Sequence, residues 1–390
     1  MRCRWIILLL LLPLFLGGCL SNVDMRQRVI LTAVGIDGAD VPGHVTITAQ
    51  LLNALKAPQG DADAVLVISS TGHTGFDAAR NMVKEVGRKV FWGQIQAIVI
   101  GEEVLREVNA AQLLDFLDRD FEPSRLAYVL VARGQTGAVV MGCGGSMLDS
   151  IPVGTITNQV EGVRATGKSH VMRLHDFMRA LDTPGRSCAT GFLTVTGEKT
   201  TGLGEVCKNQ KIILEGVATF REGWVVGFWD DKETRGLNWV LGEVTSGMLI
   251  TKDPSEQNKV SLEILGASSR VEPMMVDDQP VIRITVNAEA NIGDIVGPGL
   301  DILDDGLIAS LERRQATVIR NEILAALKRA KDERTDVFGF GTAFARRFPR
   351  QWEKMADSWD EQFLPDLPVE LIVEAKIRRV GLCLSPIRVQ

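Results

Sequence analysis

The 390-residue chain has few cysteines, few histidines, no surplus of basic charge and no second long apolar run after its first few residues. Its six cysteines contain no C-x-x-C pair, and His44, His73, His170 and His175 complete no zinc spacing. The net charge of −6 becomes −8 once Arg2 and Arg4 are removed, which argues against a nucleic-acid partner. Gly142 to Ser146 form a glycine-rich stretch without the Lys-Ser/Thr of a phosphate loop. Asp301, Asp305, Gly306 and Glu312 occupy positions of a calcium loop, but Leu303 and Ala309 stand where oxygen ligands are needed. His170 and His175 are five apart and point to different faces of a helix. No spacing supplies a nucleophile with its base, so catalysis has no motif here and no cofactor is implied.

What is present begins at the N-terminus. Arg2 and Arg4 precede an apolar run from Trp5 to Leu16, which has the shape of a secretory signal over residues 1–18. A spanning helix needs about 20 apolar residues, so this run is too short to be a comfortable anchor. Leu16, Gly17, Gly18 and Cys19 match a bacterial lipoprotein processing site, which makes Cys19 the mature first residue, carrying a diacylglyceryl thioether. Two acyl chains attach stably at about 0.8 kcal/mol per buried methylene. The remaining body of 372 residues is expected to be extracytoplasmic, tethered to a membrane without crossing it. Cys143, Cys188, Cys207 and Cys383 are then either buried thiols or disulfide partners, with Cys188 and Cys207 the nearest pair.

At this length two or three domains are expected. Residues 19–141 read as an α/β unit: strands at Val29 to Asp37, His44 to Leu52 and Ala64 to Ser70, then a helix capped by Thr74 with Phe76, Ala79, Val83, Val86 and Val90 on its apolar stripe. A buried strand over Ile95 to Gly101, a second helix starting either near Val104 or within Ala110 to Asp120, and a strand after Pro123 complete it. Residues 142–205 scatter glycine and proline around one helix near Leu174 and form a smaller middle region or linker. Residues 206–390 read as an α+β unit that opens with a hairpin turning at Arg221 to Gly223. A long amphipathic helix from Leu300 to about Lys331, with Leu303, Leu307, Leu311, Val318 and Leu327 near one stripe, lies on a mainly antiparallel sheet closed by Val369 to Ile377. The fold class is thus mixed α/β or α+β, multi-domain, with mixed sheets flanked by helices.

Trp224, Phe228, Trp229 and Trp239 are either a sheet core or an exposed docking cluster, since tryptophan is enriched at interface hot spots. Trp224, Trp229, Arg235 and Trp239 are the candidate partner interface. The basic run Ala345 to Trp352 is either a solvated helix end or a surface for anionic headgroups.

Several stretches in order resemble the Ger(x)C family, the lipid-anchored C subunits of the germinant receptors of spore-forming bacteria. Cys19 is followed by "GID" at Gly35 to Asp37, "TAQ" at Thr48 to Gln50, "RKVFWGQIQAIVIGEEV", "LLDFLDRDFEPS" and "YVLVARG". The second half carries "GVATFREGWVVGFWDDKETRGLNWVLG", with Gly216, Phe220, Gly227, Glu233, Arg235 and Gly236 matching, then "DVFGFGTAFARRFPRQW" and "IRRVGL". Leu20 and Ser21 depart from the tryptophan and acid usual in the family, and Gln94 stands where histidine is common. The resemblance implies a non-catalytic subunit on the outer face of the spore's inner membrane, assembling with multi-spanning A and B subunits to trigger germination by nutrients. The alternative is a lipoprotein that binds a small nutrient itself, which predicts a concave site with convergent polar groups.

Overall fold

The computed structural model describes residues 28–52, 65–134, 136–142, 152–196, 211–297 and 304–379. The signal segment, Cys19, Cys143 to Ser146, Cys207, Leu303 and Cys383 lie outside the described residues. Two mixed sheets flanked by helices make up the fold, as the alternating sequence pattern requires.

The first sheet has nine strands: β1 (Arg28–Gly38), β2 (Val45–Leu52), β3 (Val65–Gly72), β4 (Lys89–Phe91), β5 (Ala97–Gly101), β6 (Tyr128–Ala132), β7 (Cys188–Thr196), β8 (Lys211–Arg221) and β9 (Trp224–Trp229). Their order is β3-β2-β1-β5-β6-β7-β8-β9, with β4 also on β1. β1, β5, β6 and β7 run parallel, and antiparallel strands close both sides. β5 and β6 are buried along their whole length, because helices cover both faces of a parallel sheet. On one face lie α1 (Gly75–Val86), α2 (Glu102–Glu107), α3 (Ala110–Arg119) and α6 (Leu174–Leu181); on the other lie α4 (Gly137–Gly142) and α5 (Pro152–Arg164).

Thr74 caps α1 as its sequence demands, its hydroxyl accepting from Asp77 N. The stripe read for α1 is corrected, however. Ala78, Ala79 and Met82 are buried, whereas Phe76 and Val83 are 45% and 39% exposed. Ala78 and Ala79 let the helix approach the sheet, so the inward stripe runs through Ala78, Ala79 and Met82 and leaves Phe76 and Val83 on the outer flank. α5 was not legible in a stretch rich in glycine and β-branched residues. Pro152 at its first turn and a side-chain acceptor from β2 start it. β8 and β9 extend the same sheet as β7, so a division near residue 206 falls between two paired strands.

The second sheet is β10 (Gly247–Lys252), β11 (Lys259–Val276), β12 (Gln279–Val296) and β13 (Val369–Arg379), antiparallel except for the parallel β12–β13 pair. β11 and β12 turn at Asp277 and Asp278, both with positive φ, as a two-residue hairpin requires. Along the sheet's inner face Val260, Leu262, Ile264, Ile282, Ile284 and Val286 meet Leu311, Ile319, Ile323 and Leu327 of α8 (Asp305–Glu333). Each such fully buried side chain contributes roughly 1.5–3 kcal/mol. Asp304 caps α8 through Gly306 N, so these acids begin a helix. α7 (Asp231–Leu241) lies against α8, and α9 (Phe340–Arg347) and α10 (Pro349–Met355) lead into a 3-10 turn (Ala356–Ser358) and a π turn (Trp359–Phe363) that close this core.

Candidate functional site

Several residues that carry the family pattern are turned inward, where they bracket one element against another. Asp37, at the end of "GID", is buried, and its Oδ1 accepts from Gly137 N at 2.7 Å, fixing the start of α4 to β1. Gln50, at the end of "TAQ", is fully buried. Its Oε1 accepts from Val153 N at 2.9 Å and its Nε2 donates to Met141 O at 3.4 Å, so one amide joins β2, α4 and α5.

The longest matching segment builds the junction between the sheets. Asp230 and Glu233 form a capping box on α7: Asp230 Oδ1 accepts from Lys232 N and Glu233 N, and Glu233 Oε2 accepts from Asp230 N. One turn on, Arg235 grips Glu322 of α8 with two nitrogens, Nε donating to Oε2 at 2.9 Å and Nη2 to Oε1. The side chains are only 12% and 5% exposed. Trp239 Nε1 donates to the same Glu322 Oε2 at 2.9 Å. The close crossing depends on Gly236, where a Cβ would stand 2.2 Å from the Glu322 carbonyl oxygen.

A second carboxylate repeats the device at the far end of α8. Glu333 Oε2 accepts from Trp229 Nε1 at 2.9 Å and Thr219 Oγ1 at 2.7 Å, while Arg329 Nε lies 2.7 Å from Oε1. Gly227 leaves room for it, since a Cβ there would stand 1.9 Å from Oε1. Beyond α8, Asp336 is fully buried and accepts from Phe340 N, Gly341 N and Trp359 Nε1. Burial pushes its carboxyl up to about 6 against the pull of these donors. Its backbone pairs with Ser187: Ser187 N donates to Asp336 O, and Asp336 N donates to Ser187 Oγ.

The candidate interface is corrected accordingly. Trp229 and Trp239 have no exposed surface, and Arg235 is spent on Glu322; only Trp224, at 43%, presents its ring to solvent. Their indole N–H groups found buried carboxylates roughly 80 to 100 residues away, a pairing no local pattern reveals. Arg346 and Arg347 are exposed at the end of α9. Cys188 is a buried free thiol that donates to Phe177 O, and burial raises its thiol to about 12. His170 is held by Glu243, apart from His175, and among the described residues no group of His, Cys, Asp or Glu could hold a metal ion. No helix among them is long and apolar enough to cross a membrane.

The arrangement therefore locks two sheets together. Comparison with known proteins agrees with the sequence pattern. Residues 21–195 match the family described as "Spore germination protein N-terminal domain", and residues 215–381 match "Spore germination B3/ GerAC like, C-terminal". Among curated relatives from Bacillus subtilis (strain 168), Spore germination protein KC is 26% identical, covering 100% of this chain and 98% of its own. Spore germination protein B3 is 22% identical over 90% of this chain and 91% of its own. A solved structure titled "Crystal Structure of the GerBC protein" superposes with a TM-score of 0.57 at 18% identity, covering 88% of this chain and 96% of the other. The chain thus belongs to the Ger(x)C family of spore germinant receptor C subunits, a family whose role is in spore germination.

Proposed function

We propose that this protein is a non-catalytic, lipid-anchored subunit of a germinant receptor, tethered through Cys19 to the outer face of the spore's inner membrane. There it assembles with membrane-spanning A and B subunits and enables germination in response to nutrients. The observation that carries this reading is the inward placement of four residues of the family pattern. Asp37, Gln50, Arg235 and Gly236 are spent on holding helices and sheets in register, which suits a rigid body that positions partners. The lipobox supports the anchor. In spores, Cys19→Ala is expected to release the protein from the inner-membrane fraction and to abolish its receptor's nutrient response; a variant that stays attached and active contradicts the anchor.

Direct binding of a small nutrient is the second reading, and one observation favours it. An open cleft of about 330 Å3 is lined by Gln94, Gln96, Tyr128, Thr157, Glu161 and Arg173. Arg173 is already engaged there, its guanidinium over the Tyr128 ring and donating to Leu126 O. Thermal stabilisation of the purified protein by an amino acid or sugar would establish this reading; an unchanged midpoint would count against it.

A further inference from the structure

We infer that the groove between α1 and α3 is a membrane-contacting face, one that lies on the lipid surface to which the N-terminus is attached. Phe121 is 99% exposed on the turn after α3, and Phe76 and Val83 stand exposed on α1 opposite it. Together with Trp92 and Phe116 they line a single groove, so the apolar residues form one patch and are not scattered. Isolated exposed apolar side chains are ordinary on protein surfaces, but an aromatic left almost wholly exposed beside four further apolar side chains of one groove is not.

Where the chain enters the fold says what covers this patch. Arg28, the first described residue, pairs in the β1–β4 ladder with Lys89, and Lys89 and Val90 of β4 line the groove. Cys19 lies nine residues before Arg28, and an extended chain spans at most about 3.6 Å per residue, or about 32 Å in all. A lipid attached at Cys19 therefore holds the bilayer surface within reach of this edge of the molecule. Arg80, Lys84, Arg88 and Lys89 are exposed around the same edge, with the Arg80 guanidinium 4.8 Å from the Phe76 ring. Cations flanking aromatic rings suit a headgroup layer, where rings enter the interface and long basic side chains reach the phosphates. Asp120 and Glu122, on either side of Phe121, also line the groove, so acids as well as bases border the ring, and the attraction to an anionic surface comes from the α1 and β4 flank.

This inference rests on the Cys19 attachment proposed above, and the test separates the two. The full-length lipidated protein is reconstituted into vesicles of phosphatidylglycerol and phosphatidylethanolamine. Flotation reads the anchor, and amide hydrogen exchange relative to the protein in detergent reads the surface. The expected result is flotation with at least severalfold slower exchange over residues 76–92 and 115–126, unchanged exchange over 247–265, and loss of the local protection in Phe121→Asp while flotation persists. Flotation without that protection, or with equal protection over 247–265, overturns the membrane face and leaves the anchor standing. Failure to float overturns the anchor, and the membrane face falls with it.

Discussion

Glu322 accepts from both Arg235 and Trp239, so removing Glu322 takes the acceptor from the buried Trp239 N–H, and removing Arg235 leaves a buried carboxylate without its counter-charge. Breaking one side of a buried ion pair costs about 3–5 kcal/mol. Arg235→Ala and Glu322→Ala should each lower stability by that order in denaturant titration, and the double variant should lose less than the sum. An additive result would mean that the pair is not coupled. Asp336 makes a prediction of the opposite kind. Its carboxyl is raised from 3.8 to about 6 by burial, so the folded state holds a proton that the unfolded chain has released. Its contribution is fully present below the unfolded value and is lost as pH rises through about 6. Asp336→Asn should flatten the pH dependence of stability across that window, although the neighbouring carboxyl of Asp360, also raised to about 6 by burial, keeps part of the slope. An unaltered profile would refute the assignment. These residues were visible in the sequence as family matches or not at all: Arg235 stood out, but Glu322, 87 positions away, had no local signal.

Elements were more legible than contacts. Thr74 before α1, the continuous apolar runs of β5 and β6, and the stripe of α8 each follow from periodicity and capping, which act within a few residues. The misread flank of α1 and the unseen α5 share a cause. In both, tertiary packing decides: Ala78 and Met82 go inward although Phe76 is more apolar, and Gln50 supplies α5 with an acceptor from a distant strand. α7 is where an element's own chemistry can be tested. Asp230→Ala removes two acceptor contacts at its N-terminus and should cost about 1 kcal/mol, rising toward 2 where the box is also lost. Asp230→Asn should cost much less, because the amide oxygen still accepts. Thermal midpoints of the two variants measured side by side check this; equal losses would show that the cap does not hold the helix.

The whole molecule is joined more tightly than its sequence texture suggests. Ala189, Val217 and Trp229 of the first sheet belong to the same apolar core as the second sheet, and Ser187 and Asp336 close the joint with one backbone bond and one to the serine hydroxyl. A fragment ending at residue 205 lacks β8 and β9 and should be unfolded or aggregated, since the edge of β7 and the core around Phe192 lose their partners. A soluble fragment with native-like circular dichroism would show that the first sheet closes without them. A body whose two sheets share one core, with Asp37, Gln50, Arg235 and Gly236 spent on its internal joints, fits the proposed subunit that works by holding others in place. The most direct test is purification of the lipidated protein from spore membranes in mild detergent, with identification of what accompanies it. Multi-spanning receptor subunits should co-purify in fixed proportion, and a preparation that repeatedly contains this chain alone would contradict the account.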